Sequence, residues 1–218
     1  MSIAVVLISG GLDSCVTAAI ADQTNDLAFL HVRYSQRTEK REQQSFRDIC
    51  RFYKPKHRLE IQMKYFSNIG GSALTDKSIE VPEKIQGKTP QTYVPFRNGN
   101  ILSAAASWAE TIGAEKIYIG AVEEDSSGYP DCTEEFLRKF ETAVNAGTKP
   151  ETKIKIIAPL LHYNKGEIVK KGIALGAPLH LTWSCYQNER IACGKCDSCR
   201  LRLKGFDLAT ERDTISYA

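Results

Sequence analysis

The sequence lacks long apolar runs and any large excess of one charge. No apolar run approaches the ~20 residues that a membrane-spanning helix needs, so we expect no membrane span. The 29 Lys and Arg residues nearly balance the 26 Asp and Glu residues, and the net charge of +3 is too small to indicate a nucleic-acid surface by itself. The first strand pattern begins almost at Met1, so we also expect no signal or transit peptide.

Disulfides are not expected either, although the chain has seven cysteines. Without a secretion signal, cysteines are kept as thiols in a reducing compartment, where they serve metal binding or chemistry. We therefore expect a soluble, cytoplasmic protein. Its 218 residues suffice for one α/β domain with a full core, or for one such domain with a small appendage.

The start of the sequence contains the pattern of a phosphate site. Residues 3–8 form a continuous apolar run rich in β-branched side chains, which is typical of a strand buried on both faces. The run ends at Ser9, Gly10 and Gly11, and a helix-prone segment follows at residues 15–21. Two adjacent glycines allow the backbone to approach an anion, and the first N–H groups of the helix point at it.

The motif S-G-G-L-D-S at residues 9–14 is neither a Walker A loop nor a dinucleotide fingerprint, because it lacks the lysine of the first and the third glycine of the second. It resembles the PP-loop of the ATP pyrophosphatase superfamily. The resemblance implies that the loop holds the β- and γ-phosphates, so that ATP is cut at the α-phosphate and an adenylate results. The alternative is an ordinary strand–turn–helix corner, since Gly-Gly pairs are common.

Four further strand patterns alternate with helix patterns along the chain. This alternation predicts βαβ units and a doubly wound, mostly parallel α/β sheet of the Rossmann-like, adenine nucleotide α-hydrolase-like class. The strands are predicted at residues 27–32, 56–61, 116–122 and 153–158, and the helices at residues 39–53, 101–113, 133–147 and 164–175. Ligands bind at the carboxyl ends of such strands, so the acidic loop at residues 123–132 is predicted to contact substrate.

Polar residues near the predicted strand ends have two interpretations each. Arg97, just before a helix, binds a phosphate or carboxylate through its planar guanidinium group, or forms a surface salt bridge. Asn98 is placed to cap that helix. Lys165 lies in the first turn of the last predicted helix, where a cation opposes the macrodipole, so it faces either an anion or solvent. His31, Cys15 and Cys50 are interpreted as core residues.

Residues 66–94 form a long irregular segment with several glycines and prolines. A segment of this length in a compact domain is usually functional or mobile. We expect either a lid over a bound nucleotide or an excursion of the surface, and the sequence does not decide between them.

Four cysteines lie close together near the end of the sequence, in the pattern C-x7-C-x2-C-x2-C: Cys185, Cys193, Cys196 and Cys199. Four thiolates at this spacing suit a tetrahedral Zn²⁺ with no open position, which is a structural site. An iron–sulfur cluster is the alternative. Zinc is favoured because nothing else in the chain indicates redox chemistry. We therefore expect a PP-loop nucleotide-binding catalytic domain at residues 1–180, and a four-cysteine zinc-binding appendage with a helical segment at residues 181–218.

Together, these motifs resemble those of the QueC family, the 7-cyano-7-deazaguanine (preQ-zero) synthases of queuosine biosynthesis. The match runs in family order over nearly the full length, through S-G-G-L-D-S, G-G-S-A-L-T, T-Y-V-P-F-R-N, G-Y-P-D-C, T-W-S-C-Y and C-G-K-C-D-S-C-R-L-R. The resemblance implies ATP-dependent conversion of 7-carboxy-7-deazaguanine and ammonia to the nitrile, through an adenylated acid and an amide. It also implies a structural Zn²⁺, Mg²⁺ with the ATP, and a cytoplasmic homodimer that acts on small molecules and not directly on nucleic acid.

The resemblance also assigns roles to residues. The implied catalytic residues are Asp13, which also contacts Mg²⁺, Ser14, Arg97 and Lys165. The implied nucleotide-binding residues are Ile8, Ser9, Gly10, Gly11, Leu12, Asp13 and Ser14. The implied substrate-binding residues are Arg37, Arg97, Asn98, Tyr129 and Asp131. Asp131 would accept the N1–H and 2-amino group of the guanine-like base; the alternative for this residue is a helix cap.

The sequence departs from the usual pattern of the family at a few positions. Ser35 and Phe96 stand where glycine is usual, Thr38 where histidine is usual and Thr133 where arginine is usual, which concerns substrate preference more than reaction type. Two related functions are a QueC-like paralogue that joins a deazaguanine acid to another acceptor, and a PP-loop tRNA-modifying enzyme. A zinc-stapled nucleotide-binding module is the alternative that is not an enzyme.

Overall fold

The computed structural model describes residues 1–82, 89–123 and 128–218. Within these residues, the strands are β1 (Ile3–Leu7), β2 (Asp26–Arg33), β3 (His57–Gln62), β4 (Lys116–Tyr118) and β5 (Lys155–Ile157). The helices are α1 (Leu12–Asp22), α2 (Glu39–Tyr53), α3 (Tyr65–Ile69), α4 (Arg97–Ile112), α5 (Glu134–Gly147), α6 (Lys165–Ala174) and α7 (Asp197–Ala209). Short 3₁₀ turns lie at Pro130–Cys132 and Leu179–Leu181.

The strands form one parallel sheet in the order β3-β2-β1-β4-β5. From β1 the chain runs outward through β2 and β3, and it then returns to the other side of β1 to add β4 and β5. The order therefore reverses between β1 and β4, where Val6 pairs with Tyr118. Ligands of open parallel sheets bind beyond the carboxyl ends of the strands at such a reversal. The predicted doubly wound α/β fold is confirmed.

Strand β1 is buried on both faces because helices cover both sides of the sheet. Val5 belongs to the same buried cluster as Leu102 of α4, whereas the next residue, Val6, belongs to a cluster with Cys15 of α1 and Phe46 of α2. Alternate side chains of the strand thus enter two different cores. This explains why the sequence of β1 is apolar throughout and does not alternate with polar residues.

Two predicted strands end earlier than expected. Strand β4 ends at Tyr118 and not at residue 122, since the chain then passes through Gly120 beneath the first turn of α1. Strand β5 is confined to Lys155–Ile157. The prediction that Asn98 caps α4 is wrong, because the helix already begins at Arg97 and its N-cap residue is Phe96.

The described part of the segment 66–94 is anchored to the domain. Ala73, Leu74 and Val94 are buried, and the N–H of Ala73 donates to the carbonyl of Gln91. Residues 83–88 of the predicted lid lie outside the described residues. So do residues 124–127 of the predicted substrate loop, and the two predictions stay open there.

The segment after residue 180 packs closely on the rest of the chain. Helix α7 crosses α6 at Gly205, where an added Cβ atom would lie 2.9 Å from the Cβ of Lys165. The Arg202 side chain of α7 is 1% exposed and forms a two-pronged ion pair with Asp213, at 2.6 and 2.9 Å. In the part of the chain that the structure describes, no helix combines the length and apolar character needed to cross a membrane.

Candidate active site

The turn between β1 and α1 has the geometry of an anion-binding loop. Gly10 has a φ of +93°, and a Cβ atom there would lie 2.6 Å from the carbonyl oxygen of Glu42. Glycine is therefore required at this position both for its backbone conformation and for space. Gly11, the N-cap residue of α1, is extended and receives no side-chain cap.

Serine hydroxyls fix the shape of this turn. The Oγ of Ser9 accepts the N–H of Gly11 at 3.1 Å, and the Oγ of Ser14 donates to the carbonyl of Gly11 at 3.0 Å. The two hydroxyls lie 3.1 Å apart. The N–H groups of the first turn of α1 have no acceptor within the helix, so they face the cavity beyond the sheet with the positive end of the helix dipole. The turn is suited to phosphate oxygens.

Ile8 and Leu12, which were also predicted to bind the nucleotide, anchor the two ends of the turn to the domain. The N–H of Ile8 donates to Leu30 at 2.8 Å, and the carbonyl of Ile8 accepts from Nδ1 of His31 at 2.8 Å. Leu12 is 4% exposed and belongs to an apolar cluster with α6 and α7. Hence Ile8 and Leu12 hold the loop in place, whereas the N–H groups and Ser9 and Ser14 present polar atoms to the cavity.

A cavity of about 280 Å³ lies at the strand reversal between β1 and β4. Its wall includes the β1–α1 turn on one side and the start of α4 on the other. Gly120, just after β4, is part of this wall, and a Cβ atom there would lie 3.0 Å from the N atom of Ser14. The absence of a side chain at Gly120 thus lets the first turn of α1 descend to the edge of the sheet.

An ion pair lies at the end of the cavity that the β1–α1 turn forms. The Nζ atom of Lys165 lies 2.8 Å from Oδ1 and 2.7 Å from Oδ2 of Asp13, and both residues line the cavity. Asn164 and Glu167 form a capping box that starts α6 at this lysine. Lys165 therefore faces an anionic group and not bulk solvent.

Arg97 reaches the cavity from the start of α4. Its Nη1 donates to the hydroxyl of Tyr34 at 3.0 Å, and its guanidinium carbon lies 5.5 Å from the centre of the Tyr34 ring. Tyr129 and Tyr186 also line the cavity. Within residues 1–82, 89–123 and 128–218, no carboxylate lies at ion-pair distance from Arg97. A half-buried cation without a paired carboxylate is an attractive site for an anionic ligand.

Asp131 is buried beside the start of α4. It is 2% exposed, and its Oδ2 accepts the N–H of Asn98 at 2.8 Å in the first turn of α4. Burial raises the pKa of this carboxyl, while the Asn98 hydrogen bond and the charge of Arg97 oppose the rise. The Asn98 amide in turn donates to the carbonyl of Asp131 and to Sγ of Cys132. The contacts of Asp131 thus lie at the start of α4, and its predicted role in binding the base stays a prediction.

Arg37 is directed at backbone carbonyls of the segment 66–94. Its Nε donates to Ala73 at 2.6 Å, and its Nη2 donates to Asp76 at 3.1 Å and to Ile79 at 2.5 Å. The guanidinium group thus donates hydrogen bonds to three backbone carbonyls of one loop. Arg37 is accordingly a residue that holds this segment, and the cavity wall does not include it.

The segment after residue 180 also builds the cavity. The N–H of Trp183 donates to the carbonyl of Gly10 at 2.8 Å, and the Trp183 ring is covered by the guanidinium of Arg41 at 4.7 Å. Trp183, Ser184, Tyr186 and Arg202 all line the cavity. The proposed boundary at residue 180 therefore runs through the site, and both parts of the chain are needed to enclose it.

The four predicted metal ligands converge. The Sγ atoms of Cys185, Cys193, Cys196 and Cys199 all lie within 4.8 Å of one another. Bonds of about 2.3 Å to a tetrahedral zinc ion would place sulfurs roughly 3.8 Å apart, and the Cys193 and Cys199 sulfurs are 3.9 Å apart.

Backbone N–H groups also point at these sulfurs, as expected for thiolates. The N–H groups of Asn188 and Cys193 donate to Cys185 at 3.3 and 3.4 Å, and that of Cys196 donates to Cys193 at 3.3 Å. The residues present fit a four-thiolate metal site. The site fixes the start of α7 against the loop that carries Trp183.

Three residues that shape or charge the cavity had no role predicted from the sequence: Glu42, Gly120 and Trp183. Glu42 lies in a charged helical segment, where a carboxylate normally faces solvent. Trp183 was part of the T-W-S-C-Y motif but had no role of its own. Of the three, only Trp183 lay in a motif that the sequence analysis had used, and that motif did not indicate its contact with Gly10.

Comparison with known proteins identifies the family. The sequence model described as "Queuosine biosynthesis protein QueC" matches residues 3–210. The chain belongs to the QueC family. It is 55% identical over 219 residues to the 7-cyano-7-deazaguanine synthase of Nautilia profundicola, covering 100% of this chain and 99% of that protein. It is 54% identical to the synthase of Chlorobium chlorochromatii, covering 98% and 95% respectively.

A solved structure supports the fold of this QueC member. The NMN synthetase from Francisella tularensis superposes with a TM-score of 0.52, covers 98% of this chain and 79% of its own, and shares 14% sequence identity. At this identity the likeness concerns the fold alone. The fold agrees with that of a PP-loop enzyme, and QueC membership agrees with the resemblance drawn from the motifs.

Proposed function

We propose that this QueC protein converts 7-carboxy-7-deazaguanine and ammonia to 7-cyano-7-deazaguanine with ATP, through an adenylated acid and an amide. The observation that carries the proposal is one cavity that is lined both by the β1–α1 turn and by Arg97, whose guanidinium group has no carboxylate partner among the described residues. Full-length relatives at 54–55% identity bear the name of this synthase, which supports the same substrate for this chain.

A carboxylate needs activation because its delocalised charge makes it a poor electrophile. Transfer of AMP turns one carboxylate oxygen into a phosphate leaving group. The turn at Ser9–Ser14 would hold the pyrophosphate end of ATP, so that the α-phosphate is exposed to attack by the substrate carboxylate. Preorganised N–H groups there stabilise the charge that grows on the departing pyrophosphate.

Arg97 would hold the substrate carboxylate, and later the oxygen of the amide. A guanidinium group binds two oxygens in one plane and keeps its charge at all relevant pH values. Tyr34 fixes the guanidinium by accepting one of its N–H groups, and Tyr129 and Tyr186 offer flat faces beside it for a planar base.

Lys165 and Asp13 would act at the phosphates. The Lys165 ammonium group would neutralise a phosphate oxygen near the first turn of α1, where it pairs with Asp13. Asp13 offers hard carboxylate oxygens of the kind that Mg²⁺ prefers, each with a lone pair beyond the one used by Lys165. A bound Mg²⁺ would supply charge neutralisation to the phosphates of ATP.

We further propose that the metal held by the four cysteines is a structural Zn²⁺. The set of four sulfur donors closes the coordination sphere and leaves no position for substrate.

We also propose a cytoplasmic homodimer that acts on the free base and not directly on RNA. The low net charge of +3 supports this choice of substrate over RNA, and the homodimer rests on the family resemblance.

The direct test is to incubate the purified protein with 7-carboxy-7-deazaguanine, ammonium chloride and Mg-ATP and to follow the products by mass spectrometry. We expect AMP, pyrophosphate, amide and then nitrile. The absence of both amide and nitrile would contradict the proposal, and deazaguanine attached to another amine would favour the paralogue.

The Arg97→Met variant tests the role of Arg97 in the same assay, with Arg58→Met as the control because Arg58 is exposed on β3. We expect carboxylate-dependent AMP formation to fall about 100-fold or more in the first variant and to remain unchanged in the second. Equal activities of the two variants would remove Arg97 from the site.

A further inference from the structure

A carboxylate lies in the same cavity as Arg97 and has no role in the steps above. The side chain of Glu42, in the first turn of α2, lines the cavity together with Arg97 and Tyr34. Its Oε2 accepts from Nε2 of Gln36 at 2.9 Å, and its Oε1 accepts from the hydroxyl of Thr38 at 2.8 Å. Both oxygens are therefore held in place, and each still has a free lone pair.

The position of Glu42 ties it to the phosphate turn. Its backbone carbonyl is the atom that excludes a side chain at Gly10, so α2 is pressed against the turn at this residue. Glu42 and Arg97 face the same cavity without forming a direct ion pair. A carboxylate and a guanidinium group thus line one cavity, and the described contacts include no ion pair between them.

The other described carboxylates at the cavity wall are already paired. Asp13 holds Lys165 at 2.7 Å, and Asp197 holds Arg200 at 3.4 Å. Among the described residues, Glu42 accepts side-chain hydrogen bonds from the neutral donors Gln36 and Thr38 and has no ion-pair partner. Burial raises the pKa of Glu42 above that of an ordinary glutamate, although the two donors and the charge of Arg97 oppose the rise. A raised pKa makes a carboxylate a stronger base.

We propose that Glu42 is the binding site and proton acceptor for ammonium, the nitrogen donor of the reaction. Ammonium is the main form of ammonia at neutral pH, and it has no lone pair with which to attack. The carboxylate of Glu42 attracts a small cation by its charge, and the aromatic ring of Tyr34 in the same cavity wall adds to this attraction. The inference rests on the proposed function.

The attack of ammonia on the adenylated acid begins with a proton transfer. Glu42 takes one proton from ammonium, and the lone pair that is freed on nitrogen forms a C–N bond to the carbonyl carbon of the adenylated acid. The C–O bond to AMP breaks, and its electron pair leaves with the phosphate of AMP, which takes the second proton. The products are the amide, AMP and protonated Glu42, which then returns its proton to water.

The Glu42→Gln variant tests this proposal, because adenylation and the attack by ammonia can be measured separately. Pyrophosphate exchange into ATP, dependent on 7-carboxy-7-deazaguanine, reports adenylation without ammonia. We expect this exchange to stay within about 3-fold of the wild type, while amide formation from ammonium falls about 100-fold or more. Hydroxylamine is uncharged at neutral pH and needs no base, so the hydroxamate should form in the variant at nearly the wild-type rate.

The matched control is Glu39→Gln in the same turn of α2. Glu39 accepts from Ser35 and pairs with Arg33, and it is not part of the cavity wall. We expect it to retain amide formation from ammonium. Loss of pyrophosphate exchange in Glu42→Gln would show a role at the phosphates and overturn the inference, as would full ammonium-dependent activity or a failure of hydroxylamine to restore turnover. Absence of exchange in the wild type would instead refute the proposed function.

Discussion

The Nζ atom of Lys165 lies 2.7 Å from Oδ2 of Asp13 and so joins the first turn of α6 to the first turn of α1. The two residues are 152 positions apart in the chain. Because each is the partner of the other at the phosphate end of the cavity, their contributions to catalysis should not be independent.

A double-mutant cycle tests this coupling. We expect Asp13→Asn and Lys165→Met each to lower ATP pyrophosphate exchange by about 100-fold or more, since each removes charge that faces the phosphates. The double variant should lose much less than the product of the two losses. The rates of pyrophosphate exchange with 7-carboxy-7-deazaguanine are measured for the two single variants and the double variant. Strictly multiplicative losses would show that Asp13 and Lys165 act independently.

The second prediction concerns Gly10. Gly10→Ala places a Cβ atom 2.6 Å from the carbonyl of Glu42, at a φ of +93°. We expect it to lower the free energy of unfolding by about 2 kcal/mol and to abolish nucleotide exchange, because the turn must move. Gly71→Ala is the matched control, since its φ is +77° but no atom lies within 4 Å of the added Cβ. Urea unfolding measures the free energy of unfolding of both variants. Equal losses would mean that backbone strain alone, without the clash at Glu42, explains the effect.

The third prediction concerns the four-cysteine site. Cys196→Ser removes one of four converging sulfurs, so the protein should lose its bound metal and unfold at a lower temperature. Cys50→Ser changes a buried thiol in α2 outside this group and should keep the metal. Elemental analysis of the purified variants measures the difference. Full zinc content in Cys196→Ser would be incompatible with a four-thiolate site.

The fourth prediction is a pH dependence of stability that comes from His31. The ring is fully buried and stacked on Phe46, its Nδ1 contacts the carbonyl of Ile8, and its Nε2 has no partner among the described residues. Burial lowers the pKa of His31 in the folded state, so below the unfolded pKa of about 6.5 the unfolded chain binds more protons. Stability is therefore present above this pH and is lost as the pH falls.

The loss from His31 should reach about 1.4 kcal/mol at pH 5.5, provided that the folded ring stays neutral there. His31→Asn keeps a donor near the position of Nδ1 but does not titrate. Urea unfolding at pH 7.5 and 5.5 should therefore show a smaller loss in this variant than in the wild type. Identical losses in the two proteins would assign the pH dependence to other groups.

The fifth prediction concerns the buried ion pair of the final helix. The side chains of Arg202 and Asp213 are 1% and 4% exposed, so Asp213→Asn leaves a buried guanidinium without its counter-charge. We expect a loss of about 3 kcal/mol in the free energy of unfolding. Glu135→Gln, which breaks an exposed pair with Lys139, should change little. Denaturant unfolding distinguishes the two, and a small loss in Asp213→Asn would indicate that solvent reaches Arg202.

The sequence predicted features that depend on short stretches of chain. The β1 strand, the diglycine turn and the start of α1 are adjacent in sequence, and their pattern alone indicates a phosphate site. The cysteine spacing was equally local. The two positions where glycine is usual in the family, Ser35 and Phe96, have φ values of 64° and 53°, so the family pattern reflects a real backbone requirement.

Features that depend on packing between distant segments were not predictable from the sequence. Asp131 caps α4 across 33 residues, and no local signal indicates that its carboxyl turns inward. Glu42 lies among exposed charges of α2 and reaches the cavity only because α2 is pressed against Gly10. Arg37 donates to carbonyls that come close only in the folded segment 66–94, so no pattern in the sequence indicated these partners.

The hydrogen bond from Trp183 to Gly10 bears on how the protein is made. In the chain, the β1–α1 turn is synthesised before Lys165, Trp183 and the four cysteines. A growing chain therefore carries this turn without the residues that complete its cavity until Trp183 has been added, so the cavity forms only late in synthesis.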